Sequence, residues 1–133
     1  MINHEIELRV RYGETDQMGF CYYGNYAQYL EVARVETLRK QGISYKELEE
    51  KGILLPVRNY SIKYVSPAKY DDLLIIHTEI KKLEGSRIVF SYQIHKDKQL
   101  IATAKTELVF VSSKTFKPIK MPPSFELLID NLN

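Results

Sequence analysis

Three long segments in the second half of the sequence alternate apolar and polar residues, and they constrain the fold more than any other feature. They are LLIIHTEIKKL, RIVFSYQIHK and QLIATAKTELVFVS, which begin at Leu73, Arg87 and Gln99. Successive side chains of a strand point to opposite faces, so a period of two predicts strands with one buried face. The short turns between the segments, at 84–86 and 96–98, predict that the strands are antiparallel neighbours.

Each segment has a predicted inner face. The residues expected there are Leu74, Ile76, Thr78, Ile80, Ile88, Phe90, Tyr92, Ile94, Leu100, Ala102, Ala104, Thr106, Leu108 and Phe110. A mixed outer face is expected to carry Ile75, Val89, Ile101, Val109 and Val111. Two further strands are predicted at Ile6–Tyr12 and Val57–Val65, and the second ends at Ser66-Pro67 because proline cannot donate to a sheet.

A long helix is predicted before the sheet, capped by Gly24 or Asn25 and running to about Lys40, with Gly42 as its C-terminal stop. Its apolar stripe consists of Tyr26, Tyr29, Leu30, Ala33 and Thr37. Val32, Val35 and Leu38 lie off this stripe, which indicates a helix covered on more than one side. A shorter helix follows Ser44, with Glu47 completing a capping box. The tail PPSFELLIDNLN is expected to form a short capping turn or to fray.

One early helix followed by a long antiparallel sheet is typical of an α+β fold, here with five strands wrapped around the helix. The length of 133 residues predicts one domain spanning 1–133. Exposed sheet edges must be paired or covered, so an oligomer is expected.

The charge pattern excludes some functions. The net charge is +2, with 19 basic and 17 acidic residues interspersed, so no basic face for duplex nucleic acid is predicted. No apolar signal region or membrane span is apparent. The single cysteine, Cys21, rules out an intrachain disulfide and is typical of a reducing compartment, so a cytoplasmic location is expected. No metal-ligand spacing occurs, and no cofactor is expected.

The loop ETDQMGFCYYGN places one carboxylate, Asp16, just before the long helix. A helix N-terminus offers unpaired backbone N–H groups and a partial positive charge, here from about Tyr23 and Gly24. Such groups bind a carbonyl oxygen that becomes negative, and a nearby carboxylate can attack the carbonyl or activate water. Gly19 and Gly24 allow tight turns. Phe20, Tyr22, Tyr23 and Tyr26 would wall the site.

This arrangement favours acyl transfer from a thioester. A thiol with a pKa of roughly 8.5 leaves as thiolate without a strong general acid, whereas an amide needs one. Structural roles are the alternative: an Asp before a helix also serves as a turn or capping residue, and an aromatic cluster also forms core. Cys21 reads as a buried small hydrophobe, and His4, His77 and His95 read as solvated.

The segment from Arg11 to Gly42 resembles the opening of the hydroxybenzoyl-CoA thioesterase-like branch of the hotdog-fold acyl-CoA thioesterases. The segments YVSPAKYDDLL and ATAKTELVFVSSKTFKPIKMP extend the resemblance, which covers Glu5 to about Pro122. It implies a sheet wrapped on a central helix, a dimer joined edge to edge or a tetramer of such dimers, and active sites between protomers. It also implies an acyl-CoA substrate.

The resemblance implies that Asp16 is the catalytic nucleophile or base and that the Tyr23 backbone N–H binds the thioester carbonyl. Gly19, Tyr22, Asn25 and Tyr26 belong to the matching pattern, and the last three are implied to shape the pocket. Lys63, Arg87 and Lys117 are candidates for the CoA phosphates. Many relatives carry histidine at the position of Tyr23 and smaller aliphatic residues at 20 and 21, so an imidazole role is not expected here and the acyl tunnel is expected to be narrow.

Three alternatives stay open beside hydrolysis. A hydroxyacyl-thioester dehydratase would need a histidine facing the substrate, and residues 16–26 contain none. A non-catalytic acyl-CoA binding or sensing module would bind without turnover. A structural scaffold would leave the aromatic cluster unexplained. The sequence does not specify the acyl group or the role of Asp16 as nucleophile or base.

Overall fold

The computed structural model describes residues 1–132, and an antiparallel five-stranded sheet is its largest element. The strands in chain order are β1 (Ile2–Arg9), β2 (Ile53–Leu54), β3 (Val57–Tyr64), β4 (Leu73–Glu84), β5 (Arg87–Lys96), β6 (Gln99–Val109) and β7 (Val111–Ser112). The sheet order is β1-β4-β5-β6-β3, and β2 pairs with β7. The five long strands predicted from the alternation are confirmed, although the first begins and ends earlier than predicted.

Three α-helices accompany the sheet: α1 (Tyr26–Lys40), α2 (Tyr45–Glu50) and α3 (Pro123–Glu126). Single 3-10 turns lie at Tyr12–Glu14, Tyr23–Asn25 and Ile129–Asn131. The Ser44 hydroxyl accepts the Glu47 N–H at the start of α2, which is one half of the predicted capping box. The return bond from the Ser44 N–H to the Glu47 carboxylate is not formed among the described residues. The tail does form a capping element, because Phe125 of α3 is fully buried with its ring 4.7 Å from that of Phe110.

Two tight turns align the three long strands. Glu84 pairs with Arg87, and Lys96 pairs with Gln99, so each hairpin has a two-residue loop. Gly85 and Asp97 occupy the first loop positions with φ of 62° and 51°. Positive φ at that position matches the twist of a two-residue hairpin, and glycine and aspartate are among the residues that adopt it most readily.

Helix α1 packs on β1 and β4 through the predicted stripe, and all five of its residues are buried. Leu38 is buried as well, but Val32 is 43% exposed, so within this chain that side of the helix is open. Arg34 is buried on the same helix, although the sequence pattern did not predict it. In residues 1–132, no helix is both long and apolar enough to cross a membrane.

The prediction that Ile101 lies on the outer face is wrong. The register shifts between Ile94 and His95, which pair with Ala102 and Leu100, so Ile101 lies in a β-bulge. A bulge adds one residue to a strand and reverses the alternation locally. Ile101 is therefore fully buried, and its carbonyl accepts the N–H groups of Val65 and Ser66.

Strand β3 is one edge of the sheet and pairs only with β6 among the described residues. Val57, Tyr60 and Tyr64 on this strand are 45%, 41% and 47% exposed. An edge strand with large exposed apolar side chains is a surface that natural proteins normally cover.

Candidate active site

Asp16 lies in a closed loop between β1 and α1. A bridge between Thr15 and Cys21 closes the loop, and the Asp16 N–H donates to the Phe20 carbonyl at 2.9 Å. The Gly19 N–H donates to the Asp16 carbonyl at 2.9 Å, and Gly19 has a φ of 82°. That left-handed conformation favours glycine, which explains its place in the sequence.

The Asp16 carboxylate is held by backbone donors. Its Oδ1 accepts the N–H of Met18 at 2.9 Å and that of Phe20 at 3.3 Å, which is the local turn that aspartate commonly forms. No Lys or Arg lies within 4.0 Å of Asp16 in the part of the chain that the structure describes. Its Oδ2 has no hydrogen-bond partner among these same residues. One carboxylate oxygen is thus held by two backbone donors, and the other has no hydrogen-bond partner among residues 1–132.

The N-terminus of α1 begins with the 3-10 turn at Tyr23–Asn25. The Tyr22 N–H donates to the Glu14 carbonyl, and the Asn25 N–H donates to the Tyr22 carbonyl. The N–H groups of Tyr23 and Gly24 have no acceptor within residues 1–132. A helix start with unpaired donors and a partial positive charge binds anionic oxygens.

Asn25 stands at the N-cap of α1, but its side chain does not cap the helix. Its Nδ2 instead donates to the Glu14 carbonyl at 2.8 Å. Gly24 allows the Tyr22 ring to fold back, because a Cβ at Gly24 would lie 2.8 Å from the Cε2 of Tyr22. Both residues thus shape the turn that presents the free N–H groups.

A cleft of about 280 Å³ joins Asp16 to this helix start, and we call it the Asp16 cleft. It is lined by Asp16, Met18, Phe20, Cys21, Tyr23, Tyr26, Tyr64, Val65, Ser66 and Pro67. The rings of Tyr26 and Tyr64 are in edge-to-face contact in its wall, with centroids 5.5 Å apart. Tyr22 is outside this lining and packs on Tyr23 at 4.8 Å.

Six residues of the lining were not predicted from the sequence to belong to the site: Met18, Cys21, Tyr64, Val65, Ser66 and Pro67. The segment YVSP, residues 64–67, could have indicated most of them, because it belongs to a segment that carries the family resemblance. No site residue was predicted there. No histidine belongs to the lining in the described part of the chain. No group of three or more His, Cys, Asp or Glu side chains among residues 1–132 is placed to hold a metal ion.

Glu14 lies outside the lining of the Asp16 cleft and bonds to residues on both sides of the loop. Its role was not predicted from the sequence. Its Oε2 accepts Arg11 Nη2 at 2.7 Å, and its Oε1 accepts the Tyr29 hydroxyl at 2.7 Å. Burial raises the pKa of the Glu14 carboxyl, but hydrogen bonds from Arg11 and Tyr29 outweigh burial and hold that pKa below its ordinary value. Glu14 therefore stays ionised and ties the loop to α1.

Cys21 is buried beside this group, as predicted. Its Sγ lies 3.4 Å from the Tyr29 hydroxyl. Burial raises the pKa of the Cys21 thiol, which keeps it neutral. Burial likewise raises the pKa of Tyr26 and Tyr29. Tyr26 and Tyr29 are therefore neutral hydrogen-bonding groups.

The three basic candidates do not meet at the Asp16 cleft within this chain. Lys63 neighbours Tyr64 on β3, and since strand side chains alternate it faces the opposite side of the sheet. Arg87 lies at the start of β5, 3.5 Å from Glu107. The Lys117 backbone N–H donates to Thr115 in the segment after β7. Their contact with a ligand stays a prediction.

An antiparallel sheet packed on one long helix, together with the relatives and solved structures that the chain matches, defines a hotdog-fold thioester hydrolase. The chain belongs to the thioesterase-like superfamily, whose family model matches residues 10–127. The resemblance recognised in the sequence is therefore confirmed.

Two relatives and two solved structures illustrate the similarity. YneP of Bacillus subtilis (strain 168) is 36% identical over 120 residues, covering 90% of this chain and 87% of its own. The acyl-CoA thioester hydrolase YbgC of Escherichia coli O6:H1 is 34% identical over 118 residues, covering 88% of each chain. The DHNA-CoA thioesterase structure from Staphylococcus aureus has a TM-score of 0.95 at 35% identity, covering 99% of this chain and 91% of its own. A mutant 4-hydroxybenzoyl CoA thioesterase complexed with 4-hydroxybenzoyl CoA has a TM-score of 0.86 at 25% identity, covering 96% of this chain and 99% of its own.

Proposed function

We propose that the protein hydrolyses an acyl-CoA thioester to a free acid and CoA in the Asp16 cleft. The observation that carries this proposal is that Asp16 and Tyr23 line one cleft, at the helix start whose N–H groups have no acceptor within residues 1–132. The names of the relatives, an acyl-CoA thioester hydrolase and a DHNA-CoA thioesterase, support the same class of substrate.

The backbone N–H of Tyr23 binds the thioester carbonyl oxygen in this proposal, and the Gly24 N–H is available beside it. As the carbonyl carbon becomes tetrahedral, its oxygen becomes negative. Fixed donors at the positive end of α1 stabilise that charge more than they stabilise the neutral ground state. Tyr26, Phe20 and Tyr64 keep bulk water from the polar groups.

Asp16 acts on the carbonyl carbon with its free oxygen. As a nucleophile it displaces thiolate and forms a mixed anhydride, which water then cleaves. As a general base it takes a proton from a water molecule that attacks instead. Either route consumes one water and releases one carboxylic acid and one thiol. A thiol of pKa roughly 8.5 leaves without a general acid, which suits a cleft whose described lining contains no histidine, lysine or arginine.

The other predicted site residues have supporting roles in this proposal. Gly19 allows the turn that aims Asp16, and Tyr26 walls the acyl path. Asn25 and Tyr22 hold the turn that carries Tyr23. Lys63, Arg87 and Lys117 are kept as contacts for the CoA phosphates, supported so far by their charge and by the resemblance.

We further propose that the chain folds as one domain over 1–133 and pairs through β3 into a dimer, or into a tetramer of such dimers. The single core cluster supports the first proposal, and the exposed edge with Val57, Tyr60 and Tyr64 supports the second.

Light scattering coupled to size exclusion measures the oligomeric mass directly. A cytoplasmic location stays a prediction from the sequence.

The test is release of free thiol from short, long and aromatic acyl-CoAs by the wild type and Asp16→Asn. Loss of a positioned acid–base group typically lowers the rate roughly 10²- to 10⁴-fold, which is the expected effect. Asp97→Asn is the matched control, because it makes the same change at an exposed hairpin tip. Undiminished turnover by Asp16→Asn would refute the role of Asp16. Tight binding without turnover by the wild type would favour an acyl-CoA binding module.

A further inference from the structure

A second cavity lies beside the Asp16 cleft, between α1 and β3. Its volume is about 290 Å³, and its wall includes Leu30, Glu31, Arg34, Val57, Tyr60 and Thr106. We call it the Arg34 cavity. It is mainly apolar apart from a few polar groups, which is the usual character of a small-molecule pocket.

The two cavities follow one another along the same two elements. Tyr23 and Tyr26 of α1 and Tyr64 of β3 line the Asp16 cleft, while Leu30 and Arg34 of α1 and Tyr60 and Val57 of β3 line the second. From Tyr23 to Arg34 the helix rises roughly 16 Å, and helical side chains lean back toward the N-terminus. A thioester held at Tyr23 can therefore extend its acyl group toward Arg34.

Arg34 is the unusual group in this cavity. The residue is 7% exposed, and its Nε is buried without a hydrogen-bond partner in the described part of the chain. No carboxylate within residues 1–132 lies within 4.0 Å of it. Glu31, one turn earlier on α1, is solvent-exposed at the cavity wall but forms no ion pair with Arg34.

The groups that face Arg34 are hydroxyls. Burial raises the pKa of Tyr45 and Tyr92, and the positive charge of the nearby Arg34 guanidinium opposes that rise. Tyr45 also donates to the Leu55 carbonyl at 3.2 Å, and the Tyr92 hydroxyl lies 2.6 Å from the Thr106 hydroxyl. These hydroxyls are neutral and do not compensate the charge of the guanidinium.

A buried guanidinium without an anionic partner is costly to maintain, and its planar donors match the geometry of a carboxylate. We propose that the Arg34 cavity receives the distal end of the acyl group, and that Arg34 selects acyl groups ending in an oxygen acceptor, a carboxylate above all, over those ending in a methyl group. The proposal rests on the proposed thioesterase function and names its substrate class.

The test uses acyl-CoAs matched in length that differ at the distal end. Adipyl-CoA is compared with hexanoyl-CoA, and 4-hydroxybenzoyl-CoA with benzoyl-CoA, so carboxylate and hydroxyl ends are measured separately. A hydrogen bond to a charged group discriminates by roughly 10- to 100-fold, so the wild type should favour the oxygen-ended member in kcat/KM by that factor. In Arg34→Met the ratio should fall to about one, and Arg34→Lys should retain part of it.

Arg39→Met is the matched control, since Arg39 lies exposed on the same helix and pairs with Glu36. The ratio of kcat/KM values for the two members of a pair distinguishes recognition of the distal group by Arg34 from a general loss of packing, which would lower kcat/KM for both members equally. Arg34→Gln provides a second variant if Arg34→Met does not fold, as judged from its melting temperature. A wild-type ratio near one, or an equal loss for all substrates in Arg34→Met, would overturn the proposal. An equal loss of kcat/KM for all substrates, together with a change of oligomeric mass, would indicate instead that Arg34 pairs with a carboxylate of a partner subunit.

Failure of the proposed hydrolysis is distinguished by a binding measurement. Calorimetry on Asp16→Asn gives the Kd of the same matched pairs whether or not turnover occurs. Preference for the oxygen-ended member, lost in the Asp16→Asn/Arg34→Met double variant, supports the Arg34 site even if no thioester is cleaved. Equal Kd values for both members of each pair would exclude it.

Discussion

The Tyr29 hydroxyl donates to Glu14 Oε1 at 2.7 Å, and this bond joins the first turns of α1 to the segment that leads into the Asp16 loop. The carbonyl of the same Glu14 accepts both the Tyr22 N–H at 2.8 Å and the Asn25 side chain at 2.8 Å. Glu14 is thus the common partner of the carboxylate loop and of the helix start. We therefore expect the distance between Asp16 and the free N–H of Tyr23 to depend on Glu14.

Tyr29→Phe should therefore destabilise the protein and lower kcat. The variant removes the donor from a largely buried carboxylate, and a hydrogen bond to a charged group contributes about 1.5–3 kcal/mol. Urea unfolding measures the change in free energy. Tyr12→Phe is the control, because Tyr12 is 78% exposed and should lose almost nothing. Equal stability of Tyr29→Phe and the wild type would contradict a supporting role for this bond.

The stabilising effect of Glu14 should depend on pH. Its pKa in the folded state lies below the ordinary value of 4.5, so the unfolded chain binds more protons and stability falls as the pH is lowered. The contribution is complete above that ordinary value and disappears as the pH falls through the folded-state pKa. The difference in unfolding free energy between wild type and Glu14→Gln should accordingly be constant near neutral pH and shrink in acid.

Glu50→Gln serves as the comparison for that series, since Glu50 is exposed and should show little difference at any pH. A Glu14→Gln difference that grows as the pH falls would show that the pKa of Glu14 is raised in the folded state, and the assignment of Glu14 as an ionised support would be withdrawn.

The sequence was sufficient for the strands, the long helix and the Asp16 loop, because each depends on local periodicity or on a turn residue. It failed at Ile101, where a bulge reversed the alternation, since a bulge is set by pairing with another strand. It also missed Glu14 and Arg34. A charged side chain in a polar stretch of sequence is predicted to be exposed. Glu14 and Arg34 are buried only because the fold places them beside Tyr29 and Tyr92, respectively.

Alkylation of Cys21 should be slow in the folded protein. The side chain is 6% exposed, and burial raises the pKa of its thiol, so both access and thiolate fraction are reduced. The rate with iodoacetamide, followed by intact mass, should be at least about tenfold lower than in urea, where the same thiol titrates near its ordinary value. Similar rates in both conditions would show that the Asp16 cleft opens often enough to expose Cys21 to the reagent.

Gly19→Ala should disturb the site more than Gly13→Ala does. Gly19 has a φ of 82°, and an L-residue in the left-handed region costs about 1–2 kcal/mol. A Cβ at either glycine would meet nothing within 4 Å, so the backbone conformation alone separates the two variants. Relief of the strain should move the Phe20 N–H away from Asp16 and lower kcat, whereas Gly13→Ala should leave kcat close to that of the wild type. Thiol release and urea unfolding are measured on both. If Gly13→Ala lowers kcat as much as Gly19→Ala, the left-handed turn is not what aims the carboxylate.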